Sequence, residues 1–180
     1  FAQNGLTPAQ VAKTQSVGSV YMSSNAEHVV YSVSVPADPF KENRAASSYL
    51  YHLDVKSGVT KPLITDMSVG GVTFRPNHNT ISYLAKKNGD ATRSLYEMDL
   101  ESGSSKKLYA FSSNISGYSW ASDGSHIVFR APKPIEKTES PLPYQPEIYE
   151  ENLPETWAYI QNVTKDGHMP HKIPVEGNVY

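Results

Sequence analysis

Apolar and polar residues of the chain fall into short alternating runs that recur in a fixed order. The first set is Val20-Tyr21-Met22 followed by Asn25-Ala26-Glu27-His28-Val29-Val30-Tyr31. The second is Val72-Thr73-Phe74 followed by Asn77-His78-Asn79-Thr80-Ile81-Ser82-Tyr83, and the third Tyr118-Ser119-Trp120 followed by Ser122-Asp123-Gly124-Ser125-His126-Ile127-Val128-Phe129. Each time a large apolar residue precedes an aromatic by nine positions, at 22 and 31, 74 and 83, and 120 and 129. Residues of the Asn, Asp or Gly type lie between them and supply the φ > 0 positions of a tight turn. The pattern predicts a β-hairpin in each copy.

A second hairpin follows. Tyr51-His52-Leu53-Asp54-Val55-Lys56-Ser57-Gly58 aligns with Tyr96-Glu97-Met98-Asp99-Leu100-Glu101-Ser102-Gly103 at a period of 45. Apolar residues at alternate positions mark strands with one buried face, and Ser-Gly turns them into the basic return strands Lys61-Pro62-Leu63 and Lys106-Lys107-Leu108-Tyr109. A looser third copy runs from Ile160 to Gly167, returns at Lys172-Ile173, and sets Val163 where the others carry Asp54 and Asp99. Four short strands per unit of about 45 residues predict propeller blades. The expected fold is all-β: an incomplete β-propeller of about three four-stranded antiparallel blades with WD40-like or TolB-like repeats. A short helix over Leu6 to Ala12 precedes it, with Thr7 as cap, Pro8 at the first helical position and Gln10 closing a capping box. The expected divisions are 1–16 for the helical segment, 17–67, 68–113 and 114–175 for the blades, and 176–180 for the start of another. Length varies mainly between the second and third strands of a blade, at Pro36 to Arg44 and in a Pro-rich insertion at 132–155. In an up-and-down blade these insertions share one face, where binding surfaces commonly sit.

Composition narrows the function. The net charge of −2 lacks the basic excess of a general nucleic-acid binder, and no apolar run is long enough for a membrane-spanning helix. With no Cys there is no disulfide, thiolate nucleophile or thiolate metal site, and no cofactor motif stands out. The opening Phe1-Ala2-Gln3 has no hydrophobic signal core and fits either what remains after cleavage near a small residue or an arbitrary boundary; the first gives an expectation of a periplasmic or secreted protein.

The turn from Trp120 to Phe129 resembles the W-S-P-D-G repeat of TolB-type and peptidase propellers, and Phe74-Arg75-Pro76-Asn77 is a degenerate copy. The order of features carries more than any one motif. Leu6-Thr7-Pro8 precedes a first blade with the loop Lys41-Glu42-Asn43-Arg44, which runs into Ser48-Tyr49-Leu50-Tyr51-His52-Leu53-Asp54. Later, Pro146-Glu147-Ile148-Tyr149-Glu150 precedes Thr156-Trp157-Ala158-Tyr159-Ile160. This series resembles the N-terminal propeller of the prolyl oligopeptidase family, especially its dipeptidyl- and acylaminoacyl-peptidase branches. The resemblance implies a non-catalytic propeller segment that gates access of short peptides to a C-terminal α/β-hydrolase domain, which holds the Ser-Asp-His triad. The alternative is a TolB-like periplasmic scaffold that binds a protein partner.

Candidate chemistry within the chain is sparse. Gly117-Tyr118-Ser119-Trp120-Ala121 approaches the G-x-S-x-G nucleophile elbow, but Ser119 falls inside a blade strand and the last Gly is Ala121. His168 and His171 are three apart, the spacing of a helical metal pair, yet Pro170 lies between and no third ligand matches. His28 and His126 share a repeat position, which favours an architectural role. Glu42-Asn43-Arg44 and the acidic run Glu147, Glu150, Glu151 and Glu155 lie in the insertions and fit solvated charged loops best; the resemblance implies that propeller carboxylates can hold a peptide's ammonium group, but no motif sets these residues in that role. Pro141-Leu142-Pro143-Tyr144-Gln145-Pro146 could mimic a polyproline ligand but fits an ordered linker better. No catalytic, cofactor-binding or metal-ligating residue is assigned. An arc of three blades leaves two end faces uncovered, so self-association through them is expected of the isolated segment.

Overall fold

The computed structural model describes residues 5–38, 40–134, 155–165 and 167–175. It opens with α1 (Pro8–Ala12), where Gln10 N donates to Thr7 Oγ1 at 3.3 Å and Thr7 N to Gln10 Oε1 at 2.8 Å. Blade 1 comprises β1 (Ser16–Met22), β2 (His28–Val35), β3 (Ser47–Asp54) and β4 (Thr60–Ile64). Blade 2 comprises β5 (Gly70–Phe74), β6 (Thr80–Ala85), β7 (Ser94–Asp99) and β8 (Ser105–Tyr109). In blade 3 follow β9 (Gly117–Trp120), β10 (His126–Pro132), β11 (Thr156–Asn162) and β12 (His171–Lys172). Each blade is an antiparallel sheet with its strands in sequence order.

Side-chain alternation sets what each blade presents to its neighbours. In blade 2, Ile81, Tyr83, Tyr96 and Met98 face blade 1 and pack with Val30, Leu50 and Ile64. Leu84 and Leu95 face the other way and pack with Ile127, Phe129, Ala131 and Tyr159 of blade 3. The central strands β6 and β7 are therefore buried on both faces, a departure from the single buried face that the alternation of Tyr96-Glu97-Met98-Asp99 predicts, and Ser82, Ser94 and Glu97 are buried along with the apolar residues. One motif recurs on the same face of every blade. Directly opposed aromatic rings stack across the second and third strands: Tyr31 on Tyr51 at 5.7 Å, Tyr83 on Tyr96 at 5.8 Å, and Phe129 on Tyr159 at 5.2 Å. Blades 2 and 3 bury this pair against the preceding blade, whereas in blade 1 it is half-buried beside the exposed Val20 and Met22. At the other end of the arc, Val128 and Ile160 of blade 3 remain about two-fifths exposed.

Two features of the turns depart from the sequence expectation. In blade 3 the residue opposite His126 is Asn162, just as Asp54 lies opposite His28 and Asp99 opposite Thr80. Asn162, not Val163, thus fills the Asp position, and its Oδ1 accepts from Thr164 N at 2.9 Å as Asp54 Oδ1 accepts from Ser57 N at 2.7 Å. The turn that ends at Gly167 is one residue longer than those ending at Gly58 and Gly103, which displaced the alignment. In blade 1 the left-handed position of the first hairpin falls on Ala26, with φ 58°, rather than on Asn25, whose side chain is bonded to Ser23 and Glu27. An L-residue with a Cβ pays a conformational penalty there. Ala26→Gly is expected to stabilise the protein by about 0.5–1 kcal/mol, read as a higher denaturant midpoint at unchanged slope.

Candidate functional site

The first-hairpin turns gather at one end of the blades, and there blade 2 is clamped to blade 3. Arg75, just past β5, is 6% exposed and donates through Nη1 to Glu97 Oε1 at 2.9 Å and through Nε to the Gly124 carbonyl of blade 3 at 2.8 Å. Its guanidinium lies over the Trp120 ring at 4.9 Å. Glu97, 3% exposed on β7, also accepts from Thr80 Oγ1 at 2.7 Å and pairs with Lys106 Nζ at 3.2 Å. Burial pushes the Glu97 carboxyl up, but the hydrogen bonds from Arg75, Thr80 and Lys106 outweigh it and hold the group below its ordinary value. Asn77 Nδ2 donates to the Ser122 carbonyl at 3.1 Å, and Ser82 Oγ accepts from Tyr118 OH at 2.7 Å and Trp120 Nε1 at 2.8 Å.

The seam between blades 1 and 2 is built differently at the same repeat positions. Ser23 stands where blade 2 has Arg75, since each backbone N–H bonds the first residue of the next strand, His28 and Thr80 respectively. His52 stands where blade 2 has Glu97, and Lys61 where it has Lys106. His52 Nε2 and His28 Nδ1 share a hydrogen bond of 3.1 Å, and Lys61 Nζ donates to the Leu100 carbonyl of blade 2 at 2.5 Å. Among the described residues no guanidinium bridges this seam at the turns, and a groove of about 670 Å³ opens between Ser23 to Asn25 and Phe74 to Asn79.

The residues singled out from sequence lie apart. Ser119 is in mid-β9 opposite Val128, and β9 passes into a hairpin rather than a helix. His168 is exposed and its carbonyl accepts from Gln161 Nε2 at 3.0 Å, while His171 pairs with Ile160 in β12. Among the described residues there is no cluster of metal-ligating type. Arg44 engages Glu42 at 2.5 Å and donates to Ser47 Oγ at 2.6 Å, so the carboxylate of this loop is already paired. Glu155 is exposed, and its carbonyl accepts from Lys133 N at 2.7 Å. Glu147, Glu150, Glu151 and the run Pro141 to Pro146 lie outside the described residues.

Asp123, Ser125 and His126 form a bonded trio with the residue types of a hydrolytic triad. Both Ser125 Oγ and Asp123 Oδ2 contact the same ring nitrogen, Nδ1, at 2.7 and 3.2 Å, while Nε2 faces Asn162. A triad needs hydroxyl and carboxylate on opposite nitrogens, so this trio is a turn staple. Arg75, Glu97 and His52 stand in no motif that marks them as interacting residues in the sequence. Glu97 gave no signal in the sequence, because the alternation of Tyr96-Glu97-Met98 sets it on the face expected to be open, and only the packing of blade 3 against that face buries it.

No protein-family model matches the chain, and no curated protein matches it. Solved structures do. Uncomplexed acylaminoacyl peptidase of Pyrococcus horikoshii is 13% identical, with 93% of this chain and 26% of that one covered at a TM-score of 0.61. TolB of Acinetobacter baumannii is 13% identical, with 86% and 31% covered at 0.55. An oligogalacturonate lyase in complex with manganese is 13% identical, with 86% and 40% covered at 0.53. The chain thus spans less than half the length of each of these structures. What the chain shares with them is the fold, three consecutive blades of a β-propeller.

Proposed function

We propose that this chain is a non-catalytic propeller segment of a serine peptidase of the dipeptidyl- or acylaminoacyl-peptidase type, gating short peptides toward a C-terminal α/β-hydrolase domain. The observation that carries this reading is the agreement of two independent lines. The ordered series of sequence features resembles that family, and the backbone superposes over nearly its whole length on an acylaminoacyl peptidase. The outer face of blade 1 supports it further, since its stacked Tyr31 and Tyr51 repeat a pair that the other blades bury against a neighbour. That face is covered by further blades of a ring or, in the isolated segment, by a second copy. The insertion face then meets the peptide or the hydrolase domain. A periplasmic or secreted location fits this role.

The superposition on TolB favours a second reading, a periplasmic interaction scaffold. One experiment separates them. The full-length protein and a variant with 135–154 replaced by a short Gly-Ser linker are assayed against aminoacyl and peptidyl anilides of increasing length. The peptidase reading expects hydrolysis of short substrates by both proteins and extension to longer ones in the variant. Absence of hydrolysis by the full-length protein overturns it in favour of the scaffold, and identical length profiles overturn the gating role.

A further inference from the structure

The two seams of the arc carry different chemistry at matching positions, and this difference has a functional consequence. We propose that the seam between blades 1 and 2 is a proton-sensitive joint: mild acid adds a proton at His52, against His28 and Lys61, and loosens blade 1, while the Arg75–Glu97 clamp keeps blades 2 and 3 together.

The geometry begins with the shared hydrogen bond. A bond of 3.1 Å between His52 Nε2 and His28 Nδ1 needs one ring to donate and the other to offer a bare lone pair. Both rings cannot be protonated with the bond intact. The ring centroids are 5.1 Å apart and His52 is only 5% exposed, so a second charge would enter a confined site facing its like.

The surrounding charges reinforce this. Lys61 of β4 stands opposite His52 and adds a third cation to the same face. Its ammonium is tied to the Leu100 and Glu101 carbonyls of blade 2, with Asp99 close enough to feel it. Asp54, at the end of β3, is the carboxylate that favours a protonated ring, and it is engaged by Ser57 N and Oγ. Burial, then His28, then Lys61 push the His52 imidazole below its ordinary value against that one opposing carboxylate. In the unfolded chain the ring takes up its proton near about pH 6.5. The folded seam binds protons less readily than the unfolded chain, so its contribution is complete above that value and declines as pH falls through the depressed one. At the equivalent positions of the other seam the carboxylate of Glu97 is held low by its donors, so that clamp persists to more acidic solution. The groove beside Ser23 borders the loosened joint, because Ser23 Oγ accepts from His28 N at 3.0 Å.

The test is amide hydrogen exchange on the full-length protein at about pH 7.5 and about pH 5, corrected for intrinsic rates. Segments 60–64 and 97–101, which meet through Lys61 and Leu100, are expected to lose about tenfold in protection. Segments 75–80 and 121–127 at the other seam hold theirs. His52→Gln, which keeps a polar group without a titratable ring, abolishes the difference. Unchanged protection at the first seam, an equal loss at both seams, or the same loss in His52→Gln overturns the proposal. Should that variant fail to fold, the His52 ring proton resonance of the wild-type protein decides: titration below the free-histidine value supports the joint, and titration at or above it refutes it.

Discussion

Replacing Gly124 with alanine is expected to cost more than about 3 kcal/mol. Gly124 has φ 67°, a region that penalises any residue with a Cβ. A Cβ built there would overlap the Pro76 carbonyl oxygen of blade 2 and press on His78 Nδ1. Both neighbours belong to a turn that is pinned by Arg75 and Asn77, so relief requires the two blades to part. Gly58 and Gly103 provide the control. Both have φ 69° in the second hairpins, and nothing lies within 4 Å of a Cβ at either. Alanine at those positions meets the conformational penalty alone, about 1 kcal/mol. Denaturant unfolding of the three variants therefore separates local backbone strain from the clash between blades. Equal losses at all three positions would show that the turns of blades 2 and 3 do not meet as described.

Arg75→Ala is the second large effect, expected at about 3–5 kcal/mol, because it strands a buried carboxylate. Glu97 would keep Thr80 and Lys106, but the Lys106 side chain is 72% exposed and holds its charge mostly in water. The variant also loses the bond to the Gly124 carbonyl and the cation over Trp120. Its pH dependence distinguishes the mechanism. In the wild-type protein Glu97 binds protons less readily than in the unfolded chain, so its contribution is present above the ordinary carboxylate value and is lost as pH falls. Without Arg75 burial dominates, the carboxyl binds protons more readily, and the deficit of the variant narrows from about pH 7 to about pH 4.5. The pair Arg75→Met with Glu97→Leu should cost less than Arg75→Ala alone, since no buried charge remains. A double-mutant cycle at both pH values measures this, and a deficit that widens in acid would contradict it.

The hairpins and their order were legible because they are local. Alternation within single short strands and the turn residues at Gly58, Gly103 and Gly124 act within a few positions of each other. The capped helix over Pro8–Ala12 was legible for the same reason. What escaped depends on distance along the chain. Arg75 finds Glu97 twenty-two residues away and Gly124 forty-nine away, and the periodicity of a strand carries no information on such partners. His28 and His126 occupy one repeat position, yet one ring bonds His52 and the other Asn162, so equivalence in the repeat did not extend to chemistry. The looser third copy slipped by one residue because its turn is longer, an error that the strand register corrects through Asn162.

The aromatic stacks at Tyr31 and Tyr51, Tyr83 and Tyr96, and Phe129 and Tyr159 make every blade present the same plug on one side. A tandem duplication or deletion of one unit would leave matching surfaces at the new junction. The aromatic packing would survive such a change, and what would have to be rebuilt is the polar chemistry that differs between the seams, Arg75 with Glu97 at one and His28 with His52 at the other.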